Sequence, residues 1–102
     1  MPLRRQHFFN LIRLKTDFFL EHGVKKIGIF GSVVRFEDSD KSDIDILVVF
    51  HQGQKTFKNF VALIDFFEER MQCTVDLITK EGLSPYIGPH ILKEVEYASF
   101  AS

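Results

Sequence analysis

Apolar and polar positions follow two rhythms along this chain. Over residues 4–22, Phe8, Leu11, Ile12, Phe18 and Phe19 recur at roughly helical spacing, with Lys15 and Asp17 on the other side. Gly23 follows where a helix would be capped. Val24–Phe30 holds the β-branched Val24, Ile27 and Ile29 and stops at Gly31-Ser32, which predicts a strand. Residues 33–42 turn polar and acidic after two positions and predict a short helix or a loop. Ile44–Phe50 is apolar on both faces and predicts a central strand. A second amphipathic helix is predicted over residues 56–71, with Phe57, Phe60, Val61, Ile64, Phe67 and Met71 on one stripe. Residues 73–79 predict a third strand, apolar apart from one charge at Asp76. After breaks at Gly82, Pro85, Gly88 and Pro89, residues 90–97 predict a short closing helix. This order predicts an α+β fold, helices layered on a small sheet, in one domain over residues 1–102.

Composition narrows the class. A chain of 102 residues, 45% apolar and with 12 phenylalanines, can build one core and no second. It is too apolar to be disordered. Thirteen Lys and Arg against 14 Asp and Glu leave a formal charge of −1, which disfavours a mainly electrostatic nucleic-acid binder. Cys73 alone cannot staple an extracellular fold, and no four Cys or His positions have structural-zinc spacing. Asn10 and Arg13 interrupt any signal-peptide core, and no apolar run approaches membrane-spanning length. The expectation is a small, soluble, cytoplasmic domain.

The chemistry gathers at two points. Asp43 and Asp45 stand two apart at the head of the central strand, so a period of two puts both on one face with Cα atoms about 6.5–7 Å apart. Carboxylates at that distance can hold one hard cation or a pair. Isolated acids at a strand end are more often plain solvated groups, but Asp76 is a charge within an apolar strand, and buried carboxylates are rare unless paired or metal-bound. If the third strand neighbours the second, three carboxylates converge. Upstream, Gly31 lets the backbone approach a ligand closely, and amides at the start of a following helix favour an anionic oxygen. Most Gly-Ser pairs are ordinary turns. Here ten residues separate Ser32 from Asp43. If the first two strands are antiparallel, a phosphate cradle lies beside a metal cradle, as transfer chemistry on a nucleoside triphosphate requires.

GSVVRFEDSDKSDIDILVVF resembles the Gly-Ser, ten-residue, Asp-x-Asp signature of the polymerase-β-like nucleotidyltransferase superfamily, and VDLIT resembles its later strand bearing a third aspartate. By composition alone such spacing should arise in about one chain in a thousand of this length. The resemblance extends over about residues 23–97 and, with the short length, is to the minimal nucleotidyltransferases of prokaryotes. Many of those are encoded beside a HEPN-domain toxin and act as its antitoxin. It implies a small mixed β-sheet with helices packed on it. It also implies that Gly31 and Ser32 hold the triphosphate of ATP and that Asp43 and Asp45 bind two Mg²⁺ ions. Asp76 would complete the site as metal ligand or as base, and Arg35 would stand near the phosphates. The implied activity is transfer of an adenylyl group to a hydroxyl on a partner protein, a HEPN-type toxin. One departure is Phe36, where the family commonly has glycine.

Other classes fit less well. Counting from Asp38, an EF-hand would need glycine where Asp43 stands and glutamate where Val49 stands. In aspartate-nucleophile phosphotransferases the apolar strand precedes the Asp-x-Asp pair, whereas here it follows. His7, His22, His51 and His90 share no ligand spacing and read as surface or helix-end residues. Cys73 reads as a small core residue. Arg4, Arg5, Arg13 and Lys15 make the first helix basic, by default a solvated face and alternatively a contact to an acidic partner. The many phenylalanines suggest an exposed patch for a homo- or hetero-oligomer. The alternative to catalysis is a binding module that blocks its partner sterically.

Overall fold

The computed structural model describes residues 4–39 and 41–99. Helices α1 (Arg4–Leu14) and α2 (Thr16–Glu21) lead into strand β1 (Val24–Phe30). A single 3₁₀ turn (Gly31–Val33) and a loop then connect to β2 (Ile44–Phe50). Helix α3 (Phe57–Met71) crosses to β3 (Val75–Thr79), and α4 (Gly88–Glu94) and the two-residue β4 (Glu96–Tyr97) complete the order. The sheet runs β3-β2-β1-β4. β1 is antiparallel to both β2 and β4, whereas β2 and β3 are parallel. The sheet is therefore mixed, and β2 is an inner strand as expected.

The first helix is broken where periodicity predicts continuity. The Thr16 hydroxyl donates to the Ile12 carbonyl at 3.0 Å, the oxygen its own amide would take in an unbroken helix. Lys15 leaves helical geometry at that point with ψ 33°. Gly23, at φ +74°, closes α2 as the capping expectation requires. At α3, the side chain of Thr56 accepts the Asn59 amide at 3.1 Å and caps the helix.

One face of the sheet carries the main core. Ile27, Ile29, Ile44, Ile46, Val48 and Leu77 pack against Phe8, Ile12, Phe19, Leu63, Phe66 and Phe67 from α1, α2 and α3. Most phenylalanines are used there: Phe8 stacks on Phe67 with centroids 5.5 Å apart, and Phe18 stacks on Phe66 at 4.5 Å. The other face is covered only in part, by α4 and its approach, where Ile91, Leu83 and Val95 meet Phe30, Leu47 and Ile78.

Three expectations change. The buried residues of α3 are Leu63, Phe66, Phe67 and Met71, all in its later part. Its first residue, Phe57, is 84% exposed rather than in the core stripe, and it borders a cleft of about 420 Å³ with Phe60, Leu77, Ile78 and Thr79. The predicted final helix gives way to strand at Glu96, because the open edge of β1 offers pairing partners to the chain after α4. Gly28 makes that pairing possible, since a Cβ there would lie 2.5 Å from the Glu96 carbonyl oxygen. Finally, two arginines of the basic first helix are held within the chain. Arg4 donates to the Ser42 carbonyl at 2.7 Å and lies 3.9 Å from Asp38, while Arg5 pairs with Glu96. Cys73 is partly buried against the core, and that burial pushes its thiol up, as suits a packing residue. Among the described residues, no helix is long and apolar enough to cross a membrane.

Candidate active site

Register brings the sequence-predicted residues together. In the antiparallel pair Phe30 lies opposite Asp45, so Gly31 emerges beside the start of β2. In the parallel pair Asp45 lies opposite Asp76. Cross-strand neighbours share a face and sit roughly 5 Å apart, so both carboxylates rise from one side of the sheet. That is the side on which α4 packs. Asp43 precedes β2 by one residue and shares the parity of Asp45. Ser32 and Arg35 follow Gly31 in the bend.

The closeness at Gly31 has a steric signature. Gly31 is buried with φ +77°, and a Cβ built on it would lie 2.2 Å from Asp45 Oδ2. The absent side chain leaves room for the carboxylate of Asp45, which is why glycine stands here. Electrostatics agrees. Burial, and then the charges of Asp76, Asp43 and Glu94, push the Asp45 carboxyl up to about 6, against a smaller opposing effect of Arg35. Four charged neighbours around the bend thus act on Asp45.

Two details differ from the expectation. Asp76 is exposed, because β3 alternates between covered and open positions and Asp76 occupies an open one. Its place beside Asp45, not burial, singles it out. Phe36 holds a left-handed backbone with φ 59°, the conformation that glycine adopts without strain, and the residue is 64% exposed. Arg35 points to Glu37 Oε1 at 2.6 Å and also pairs with Glu94. Glu94 is the residue sequence reasoning missed. Its Oε2 accepts the Gly31 amide at 3.2 Å. It lies 63 positions downstream on a short helix, and nothing in the local pattern marks it.

Three carboxylates supply hard oxygen donors, and that of Asp45 is raised first by burial and then by its charged neighbours. A divalent cation suits that donor set. Among the described residues no group of three His, Cys, Asp or Glu side chains is already gathered as a metal cage. Of the histidines, His22 lies at the end of α2 with Nδ1 2.7 Å from the Phe18 carbonyl oxygen.

Residues 11–98 match the nucleotidyltransferase domain family. The chain belongs to that family. Over 75 residues it is 41% identical to the protein adenylyltransferase MntA of Thermococcus cleftensis, a match covering 74% of this chain and 75% of that one. A relative from Methanocaldococcus jannaschii that carries a protein adenylyltransferase name is 37% identical over 79 residues, 76% of this chain and 79% of its own. The fold superposes on a structure described as a minimal nucleotidyltransferase with TM-score 0.77 and 28% identity, covering 94% of this chain and 95% of that one. A chain of the Shewanella oneidensis complex between a tri-AMPylated HEPN toxin and an MNT antitoxin shares the fold, with TM-score 0.64, 17% identity and coverage of 95% and 73%. The mixed four-stranded sheet with helices on it is thus the nucleotidyltransferase fold, and the chain is a nucleotidyltransferase.

Proposed function

We propose that this nucleotidyltransferase transfers the adenylyl group of ATP, with Mg²⁺, to a hydroxyl on a partner protein of the HEPN toxin type, and so acts in the cytoplasm as that partner's antitoxin. The observation that carries this reading is the register at Asp45, which has Asp76 opposite it on one side and the Phe30-Gly31 bend on the other. The names of the Thermococcus and Shewanella proteins support the choice of group and partner.

In this reading the acceptor oxygen attacks the α-phosphorus of ATP. A phosphorus–oxygen bond forms there as the bond to the bridging oxygen of the β-phosphate breaks, and pyrophosphate leaves with that electron pair. Asp76 is exposed and can receive the proton of an acceptor that arrives from solvent. Gly31 and Ser32 hold the phosphates close to the backbone, and Arg35 adds positive charge beside them. Asp43, Asp45 and Asp76 would hold the Mg²⁺ ions, which when bound neutralise phosphate charge and orient the reacting oxygens. The half-buried position of Asp45 strengthens its pull on a cation relative to a carboxylate in water.

The test is label transfer. With ATP labelled at the α-phosphate, Mg²⁺ and a HEPN-type partner, label should appear on the partner and vanish with Asp43→Ala and with Asp45→Ala. Partner neutralisation that survives both substitutions without label would instead support steric blocking, for which the exposed Phe57 and Tyr86 provide apolar surface.

A further inference from the structure

Ile91 seats α4 on Phe30 and Leu47, and one turn later Glu94 reaches over the bend. Its carboxylate bridges two groups. Oε2 accepts the Gly31 amide at 3.2 Å, and Oε1 accepts Nη1 of Arg35. The Glu94 side chain is only 24% exposed, whereas the other partner of Arg35, Glu37, is 63% exposed; Arg35 itself is half exposed and open to an incoming anion. These two donors, one backbone amide and one guanidinium, are those that the proposed cradle offers to phosphate. A carboxylate presents two anionic oxygens to them much as one edge of a phosphoryl group would. Glu94 also adds negative charge beside three aspartates, which raises the crowding at Asp45.

We propose that Glu94 sets the nucleotide affinity of the site: it is a built-in anion that holds the Gly31 amide and Arg35 until the triphosphate displaces it. This rests on the reading of the bend as a nucleotide site. Displacement requires only a rotation of the Glu94 side chain, because Ile91 and Val95 pack on Phe30 and Leu47 and hold the backbone on either side of it. Arg35 then keeps only the exposed contact to Glu37, which water and salt screen, and is released toward phosphate. The ligand class is a polyphosphate chain, whose charge and length let it take both donors at once.

The experiment measures binding of Mg²⁺-ATP and of inorganic tripolyphosphate to the full chain, to Glu94→Gln and to Glu94→Ala, with a melting curve for each. Glu94→Gln keeps the shape of the side chain but removes the charge that holds Arg35. Glu94→Ala removes both contacts. Both variants should bind the two ligands about tenfold more tightly, the size expected when one charge-assisted contact no longer competes. In turnover, the KM for ATP should fall by a larger factor than any change in kcat, a split that a merely structural residue would not produce. Unchanged or weaker binding in both variants, or loss of their folded transitions, overturns the role of Glu94 while binding by the unsubstituted chain keeps the nucleotide site intact. Failure of the unsubstituted chain and both variants to bind either ligand overturns the site reading itself.

Discussion

Gly31 and Asp45 share one small volume, and their pairing makes a residue-scale prediction. Gly31→Ala would adopt a left-handed backbone, costing about 1–2 kcal/mol, and would also press on Asp45 Oδ2. In Asp45→Ala that oxygen is gone, so only the backbone cost of Gly31→Ala should remain. Denaturant unfolding of the two single variants and the double variant should therefore show coupling of about 1 kcal/mol or more. Strict additivity would contradict the shared volume. Asp45 also predicts a pH dependence. Its folded carboxyl titrates at about 6, above its ordinary value near 3.8, owing first to burial and then to Asp76, Asp43 and Glu94. Between those two values the folded chain keeps a proton that the unfolded chain has lost, so stability falls as pH rises through that window. Above it the penalty is fully present, about 1–2 kcal/mol once solvent screening is allowed for. Asp45→Asn should thus raise the melting temperature at pH 7.5 without divalent cations and flatten the acid-side dependence. Mg²⁺ should raise the melting temperature of the unsubstituted chain and leave that of Asp45→Asn unmoved. A lower melting temperature for Asp45→Asn would count against this account of the carboxylate cluster.

Among the elements, β1 and β2 were legible to the residue because their ends are chemically abrupt: Gly31-Ser32 stops one, and the change from acids to Ile44–Phe50 starts the other. The split between α1 and α2 was not legible, since apolar spacing continues across Lys15 while a hydroxyl contact from Thr16 breaks the backbone pattern. β4 was not legible either, because two residues have no periodicity and take their form from the edge of β1. Phe57 kept the spacing of a core residue yet lies at the exposed start of α3. Of the site, the aspartates and the bend followed from spacing, whereas Glu94 depends on a contact that only the folded chain creates. The link between β4 and the site gives an element-scale test. Gly28→Ala would push on the Glu96 carbonyl and should unseat β4, loosening the end of α4 next to Glu94. Hydrogen exchange should quicken at the Ala98 amide, which donates to the Ile27 carbonyl at 2.8 Å, while the amides between β1 and β2 stay protected. Unchanged exchange at Ala98 would show that β4 tolerates the added methyl.

Over the whole molecule, stability and chemistry lie on opposite faces of one sheet. The phenylalanine layer of α1, α2 and α3 covers the first face, and the carboxylates occupy the second beside a single short helix. Phe67→Ala should therefore cost about 3–5 kcal/mol, a large part of the stability of a domain this size, whereas Asp43→Ala should leave the fold intact. Equal losses from the two, by thermal or denaturant unfolding, would mean that the faces are not separable in this way. The most direct test of the site needs no partner protein. Mn²⁺ added with a non-hydrolysable ATP analogue, and followed in amide NMR spectra, should broaden the signals of residues 31–32, 43–46 and 75–77. Residues 51–53, about 20 Å along β2 from Asp45, should stay sharp. Broadening centred anywhere other than the bend and the three aspartates, or none at saturating nucleotide, would contradict the account.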